Sequence, residues 1–439
     1  MRKRTGIGRR AGAVIGAAVL AGTVAGLPAQ ARAAGGEPLP PYTFDSAAQP
    51  VRGALSSSDA RPLKAGRTYR DTLGKNGKVY YRVALDDKRN TYVSVVAVPR
   101  SGGAVDHGDG FEVSLQDDSG TECGDQRVSF SSAPYARPLA AYVHRTVDPD
   151  SSSCQEPGNY YVLVERTTKA GSDPADWDLE IRHLAEPLLK KAGPTELPEA
   201  WPSATPAPLT GDPKPRQGGS GVHDAASLTR GEWRSDIRPG QTLFYRVPLD
   251  WGQQLFATAE LGSSTEGDAY VSNALVLSLD NPALGHVDEG TLGYSGKQAT
   301  LELGPQRPVA HENRTSYNEA TSGMRFAGWY YLSATLSPRI AGEYGDRPVP
   351  LTLRVNVLNA AKGGPGYDGD PGPFAVTTAD RKAAEEGSSG ARAAAAAERG
   401  DSMRLVAAAG IGTGTVLLLG LGAWTLVARR RAARPLRSG

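Results

Sequence analysis

Apolar and polar positions alternate along residues 79–86, with Val79, Tyr81, Val83 and Leu85 on one side and Tyr80, Arg82 and Ala84 on the other. A two-residue period predicts a half-buried strand. Leu243, Tyr245, Val247 and Leu249 repeat the pattern, and the intervening Pro248, which has no N–H to donate, predicts an edge position there. The two segments are one strand written twice. At the same offset Tyr69-Arg70 matches Trp233-Arg234, Leu73 matches Ile237, and Thr91-Tyr92-Val93-Ser94-Val95 matches Leu255-Phe256-Ala257-Thr258-Ala259. Each copy later carries a glycine and paired tyrosines (Gly158, Tyr160, Tyr161; Gly328, Tyr330, Tyr331), then a closing alternating strand. A constant offset over two strands and their connection marks an internal duplication.

The short segments 86–90 and 250–254 read as hairpin turns between successive strands. No sustained helical period precedes the last 80 or so residues. The expected class is therefore all-β, with one sandwich over residues 61–187 and a second over 224–361. Residues 34–60 read as a flexible terminus, the proline-dense stretch 188–223 as an extended linker, and 362–403 as a disordered stalk with a partial helix in its Ala/Glu/Arg-rich half.

The two ends add a compartment. Arg2, Lys3, Arg4, Arg9 and Arg10 precede an apolar run from Ala11 to Leu27 and then small-residue cleavage sites near Ala31 and Ala33. Residues 1–33 thus read as a secretory signal peptide. Leu405 to Ala428 is uncharged and is followed by Arg429, Arg430 and Arg431. At 1.5 Å per residue it reaches roughly 36 Å, enough to cross a bilayer. A transmembrane helix over 404–428 with a basic cytoplasmic tail over 429–439 gives a type I single-pass protein, its bulk outside the cell. Although the formal net charge is +2, eleven basic residues and no acids lie in the first 33 and last 11 positions. The part between is acidic, which argues against a nucleic-acid partner.

Cys123 and Cys154 are the only cysteines. In an oxidising compartment they are expected to pair, closing a loop whose constraint is worth about 3–4 kcal/mol on the chain-entropy model. The second copy has no cysteine.

With its strand pairs and Gly-aromatic-Tyr ending, each copy resembles the small jelly-roll-like sandwiches of pre-peptidase C-terminal type. The segments Tyr80-Tyr81-Arg82-Val83, Asn90-Thr91-Tyr92-Val93-Ser94 and Phe244 to Gln253 are similar to the tandem ectodomain of actinobacterial exported membrane proteins. Some of those carry a von Willebrand A-type domain. The A-type domain and its metal motif are missing here: Asp148-Pro149-Asp150-Ser151-Ser152 lacks the serine pattern. The resemblance implies fold and topology, and no metal-dependent adhesion.

No catalytic, metal or cofactor set emerges from the sequence. His107, His144, His183, His223, His286 and His311 stand at no metal-ligand spacing, and neither His-Glu-x-x-His nor Gly-x-Ser-x-Gly occurs. Asp106 with Asp109, and Asp368 with Asp370, read as turns before they read as calcium loops. Phe244 and Trp251, beside one turn, form a candidate aromatic binding patch for a protein or glycan, against the alternative that the Trp packs internally. The expected function is a non-catalytic, membrane-anchored binding or assembly protein with an envelope protein or cell-wall glycan as partner, as an accessory of an envelope or secretion complex. The rival readings are a surface hydrolase or peptidase and a glycan-binding module.

Overall fold

Strands form where the alternation places them. The computed structural model describes residues 38–198 and 200–395, with Leu421, Trp424 and Thr425. The expected signal peptide and basic tail, and the expected span apart from those three residues, lie outside the described residues. Among the described residues no helix is long and apolar enough to cross a membrane.

Copy one supplies β1 (Gln49–Pro50), β2 (Arg61–Leu63), β3 (Arg67–Leu73), β4 (Lys78–Leu85), β5 (Arg89–Val98), β6 (Gly110–Gln116), β7 (Glu122–Ser129), β8 (Leu139–Arg145), β9 (Gly158–Thr167) and β10 (Trp177–Pro187). Copy two supplies β11 (Lys214–Pro215), β12 (Ala226–Ser227), β13 (Gly231–Ile237), β14 (Thr242–Leu249), β15 (Gln254–Leu261), β16 (Val271–Asp280), β17 (His286–Tyr294), β18 (Ala299–Leu303), β19 (Gly328–Leu336) and β20 (Val349–Leu358). The sheets of copy one run β1-β3-β10-β5-β8 and β2-β4-β9-β6-β7, and those of copy two run β11-β13-β20-β15-β18 and β12-β14-β19-β16-β17. The topology is duplicated strand for strand. Each copy is an all-β sandwich whose long strands pair antiparallel, crossing between sheets at every connection except β6–β7 and β16–β17, as in a jelly roll.

This order corrects the reading of 86–90 and 250–254 as hairpins. β4 lies between β2 and β9 while β5 lies between β10 and β8, so the connection carries the chain from one sheet to the other. Asp86 organises that corner by accepting from the Lys88 N–H at 3.0 Å and from Arg89. Alternation reveals that a strand has an inward face; it does not reveal which strand lies beside it.

Register confirms the paired motifs. Leu85 stands opposite Gly158 and Leu249 opposite Gly328, with Val83 opposite Tyr160 and Val247 opposite Tyr330. In both copies the first tyrosine hydroxyl donates back to the carbonyl four residues earlier, Tyr160 to Glu156 and Tyr330 to Phe326, each at 2.8 Å. A buried phenol needs such an acceptor, which accounts for the repeated Gly-x-Tyr. Pro248 pairs with Trp329 on one side and lies beyond the two residues that β12 pairs on the other, so it does sit at an edge.

Each copy has its own core. Tyr81, Val83, Val95, Val113 and Leu179 line the first and Val247, Leu249, Leu277, Tyr330 and Val355 the second, all fully buried. Cys123 and Cys154 are bonded, with their Cα atoms 5.8 Å apart. At the constant offset Val287 of β17 replaces Cys123 and is buried in the core of copy two, so apolar packing stands where the first copy has its staple.

The segments between and beside the sandwiches are folded, contrary to expectation. Residues 39–60 supply β1, and Tyr42 packs against Phe244. The linker is tied to copy two through the carbonyls of Pro194, Thr195, Pro198 and Pro202, which accept from Arg314, Thr315, Arg307 and Gln254. Described residues of the expected stalk, 362–395, return across both copies. Phe374 is fully buried, and a helix at Thr378–Glu386 starts in a Thr377/Asp380 capping box and stops at Gly387 in the left-handed conformation, φ 66°. Composition alone cannot show that one aromatic in a Gly/Pro-rich stretch has a pocket waiting for it.

Candidate functional site

The two sandwiches meet face to face, and that contact buries Phe244, one of the residues the sequence singled out. Along β5 every residue from Asn90 to Ala97 is buried. Val93, Val95 and Ala97 face the core of copy one, whereas Tyr92 and Val96 turn outward and pack with Phe326, Phe244, Leu284 and Tyr331 of copy two. Burial on both faces explains why Tyr92, Val96 and Val98 accompany Val93, Val95 and Ala97 on this strand.

Copy two enters the contact through its β16–β17 loop, Asn281-Pro282-Ala283-Leu284-Gly285. The Asn281 side-chain oxygen accepts from the backbone N–H groups of Ala283 and Gly285 at 2.9 and 3.0 Å, which fixes the loop. Leu284, at φ 60°, packs in one apolar cluster with Val96 and Ala140 of copy one. Gly285 lies on the Tyr142 ring so closely that a Cβ there would fall 2.1 Å from the ring. Beside the loop, Asp280 lines a cavity of about 50 Å³ with Arg137, His286 and Glu289. Burial, and then Glu289, pushes the Asp280 carboxyl well above its usual range.

A polar knot closes the seam. Glu186, at the end of β10, accepts from Asn90 at 2.8 Å, from the Tyr92 hydroxyl at 2.7 Å and from the Tyr367 hydroxyl at 2.8 Å. The Arg325 guanidinium stands 5.1 Å from the Tyr92 ring and 4.8 Å from the Phe326 ring. Phe374 stacks 4.6 Å from Phe326 and meets Tyr92 edge-on at 5.4 Å, so the segment after copy two is wedged between the copies. His144, stacked on Tyr92 and Tyr142, is held neutral, its pKa lowered to about 3 by burial and by Arg325.

Phe244 and Trp251 do not form one exposed patch. Phe244 is 5 % exposed within the seam. Trp251 is 8 % exposed, joins the core of copy two and is covered by the Gly364 backbone. Alternation puts Phe244 outward, and distant chain covers it; Trp251 packs internally, the alternative the sequence left open.

Trp251 does border a groove of about 910 Å³ between the linker and residues 359–366. Trp201, half-buried with the Arg307 guanidinium 5.4 Å from its ring, lines it too. Arg314 donates to His311 Nδ1 at 2.8 Å; burial first, then Arg314, lowers this histidine to about 4, leaving it neutral with Nε2 carrying the proton. Neutral imidazole, indole and Gly/Pro backbone share this lining with Lys191, Glu196, Glu312 and Lys362.

The remaining candidates lie apart. His183 bonds the Leu63 carbonyl within copy one, and His107 and His223 pair with Asp106 and Asp45. Asp109 accepts from the N–H groups of Asp106 and Lys169, and Asp370 from that of Gly372, so both acidic pairs organise turns. Among the described residues no group of three or more His, Cys, Asp or Glu is placed to hold a metal.

No family model matches this sequence, and no curated protein matches it. Solved structures give faint likenesses. Tripeptidyl peptidase 2 is 8 % identical at a TM-score of 0.20, over 68 % of this chain and 24 % of its own, so this chain spans about a quarter of that protein. The tandem CBM22-1–CBM22-2 domain of Paenibacillus barcinonensis Xyn10C is 12 % identical over 67 % of this chain and 92 % of its own, TM-score 0.20. The cowpea mosaic virus empty particle is 11 % identical over 75 % and 97 %, TM-score 0.19. None of these bears on function.

Proposed function

We propose that this chain is an exported, single-pass membrane protein without catalytic activity, whose two sandwiches act as one rigid body for binding or assembly outside the cell, as an accessory of an envelope or secretion complex. The observation that carries this reading is Phe374, buried between Tyr92 of copy one and Phe326 of copy two on the segment that leads toward the apolar stretch 405–428. A body wedged in this way presents a fixed surface to a partner and saves the ordering cost a hinged pair would bear on binding. His107, His183, His223 and His311 lie apart and the acidic pairs organise turns, while His144 and His286, which line one small cavity with Asp125, Glu319 and Ser322, are the pair that the activity test below addresses. Crosslinking in native membranes followed by affinity purification should recover a defined envelope partner, whereas turnover of peptide or ester substrates by the purified protein, abolished by one His substitution, would contradict the reading.

The groove between Trp201 and Trp251 favours a second reading, a cell-wall glycan module. Titration with cellohexaose and chitohexaose should then quench tryptophan fluorescence, and Trp201→Ala should remove the effect.

A further inference from the structure

The linker is seated on a face that the repeat uses for docking. On copy two, Gln254, Phe256 and Thr258 of β15 point away from the core that Leu255, Ala257 and Ala259 enter, and Asn356 of β20 stands opposite Phe256. At the constant offset Phe256 is the counterpart of Tyr92, which meets Phe326 and Phe374 in the seam. In copy one this face holds copy two; in copy two it holds the linker. The chain is fixed where Gln254 donates to the Pro202 carbonyl at 2.6 Å, and again where Lys214 pairs with Trp233 of β13. Gln254 stands opposite Leu358 of β20 and Trp233 opposite Leu353, so residues 203–213 cross β20 diagonally between these points, over Asn356.

The fit is incomplete. Gln254, Phe256, Thr258 and Asn356 are 0, 5, 5 and 3 % exposed, yet Gln254 Oε1, Thr258 Oγ1 and Asn356 Oδ1 have no hydrogen-bond partner. A buried acceptor left unpaired keeps its full desolvation cost. Each of the three oxygens can accept from an N–H group, and Pro202, Pro206, Pro208 and Pro213 bring none. Among the described residues no backbone hydrogen bond joins residues 191–213 to the sheet. The linker is held instead through its carbonyls, by side chains such as Gln254 and Arg307. A proline-rich strand laid on an aromatic is one of the recurring ways in which a domain takes a peptide ligand.

We propose that this strip of copy two is a peptide site, that the linker is its resident occupant, and that an extended segment of a partner, carrying N–H groups where the linker has Pro206 and Pro208, displaces it. None of the four strip residues lines the groove at Trp201 and Trp251, so the site stands or falls apart from the glycan reading. The test uses the full chain in detergent micelles with residues 203–213 replaced by a Gly/Ser stretch of equal length, and the fluorescence anisotropy of a labelled peptide of residues 198–213 carrying Pro206→Ala and Pro208→Ala. This peptide binds the replaced chain at least tenfold more tightly than the wild type, whose own linker competes at the roughly millimolar effective concentration of a short tether. It also binds at least threefold more tightly than the same peptide with both prolines kept, and Phe256→Ala in the replaced chain weakens it at least tenfold. Circular dichroism and melting verify each fold. If the replaced chain does not fold, the full chain with Pro206→Gly and Pro208→Gly, which loosens the linker and leaves the strip intact, takes its place under the same thresholds. A folded chain that binds neither peptide overturns the proposal. So does equal binding by the wild type, no gain from the two alanines, or displacement of the peptide by cellohexaose or chitohexaose.

Discussion

Leu284 holds in copy two the backbone position that Gly120 holds in copy one, both left-handed, with φ of 60° and 85°. The loops around them are the same loop: Asp117 accepts from the N–H groups of Ser119 and Thr121 as Asn281 accepts from those of Ala283 and Gly285. One copy keeps it polar and exposed. The other fills the strained position with a leucine that reaches into its neighbour. A non-glycine residue here costs on the order of 1 kcal/mol or more, a strain that persists only where packing outweighs it.

Leu284→Ala removes that packing and keeps most of the backbone strain. Chemical denaturation should show a loss of about 2–4 kcal/mol. Gly120→Ala in the exposed loop should cost no more than about 1–2 kcal/mol.

Gly285→Ala sets a Cβ against the Tyr142 ring, 2.1 Å from its nearest atom, and should cost about 1–3 kcal/mol. Tyr142→Ala in the same chain should recover part of that loss, a coupling readable in a double-mutant cycle.

Asp280 gives the seam a pH dependence. Its carboxyl is raised in the folded chain, so its contribution is fully present below the unfolded value of about 4 and is lost as pH rises through the folded one. Facing it are Glu289 and His286 of β17 and Arg137 of copy one. Asp280→Asn should therefore be more stable than wild type at pH 7 in chemical denaturation and equal it near pH 3.

Phe374→Ala empties the wedge between Tyr92 and Phe326. A loss of about 3–5 kcal/mol, with protease cleavage appearing between residues 362 and 390, is expected.

The duplication was legible because the repeated strands keep both their inward face and their spacing, and the registers of Gly158 and Gly328 bear it out. The seam was half-legible. Tyr92, Val96 and Val98 make β5 apolar on both faces, a pattern that signals cover on each side without naming the cover. Phe244 looked like a binding residue for the same reason: an outward aromatic is a contact, and sequence does not reveal whether its partner is another molecule or the rest of the chain. Phe374 and Tyr367 gave no periodic signal, since each is a single anchor in irregular backbone.

The central claim is that the two sandwiches form one rigid body. Spin labels on cysteines introduced at Asp118 in copy one and Lys297 in copy two, both exposed, report it directly by pulsed electron resonance on the full chain. One narrow distance distribution, broadened by Phe374→Ala, is the predicted result; a broad distribution in the unsubstituted protein would contradict the account.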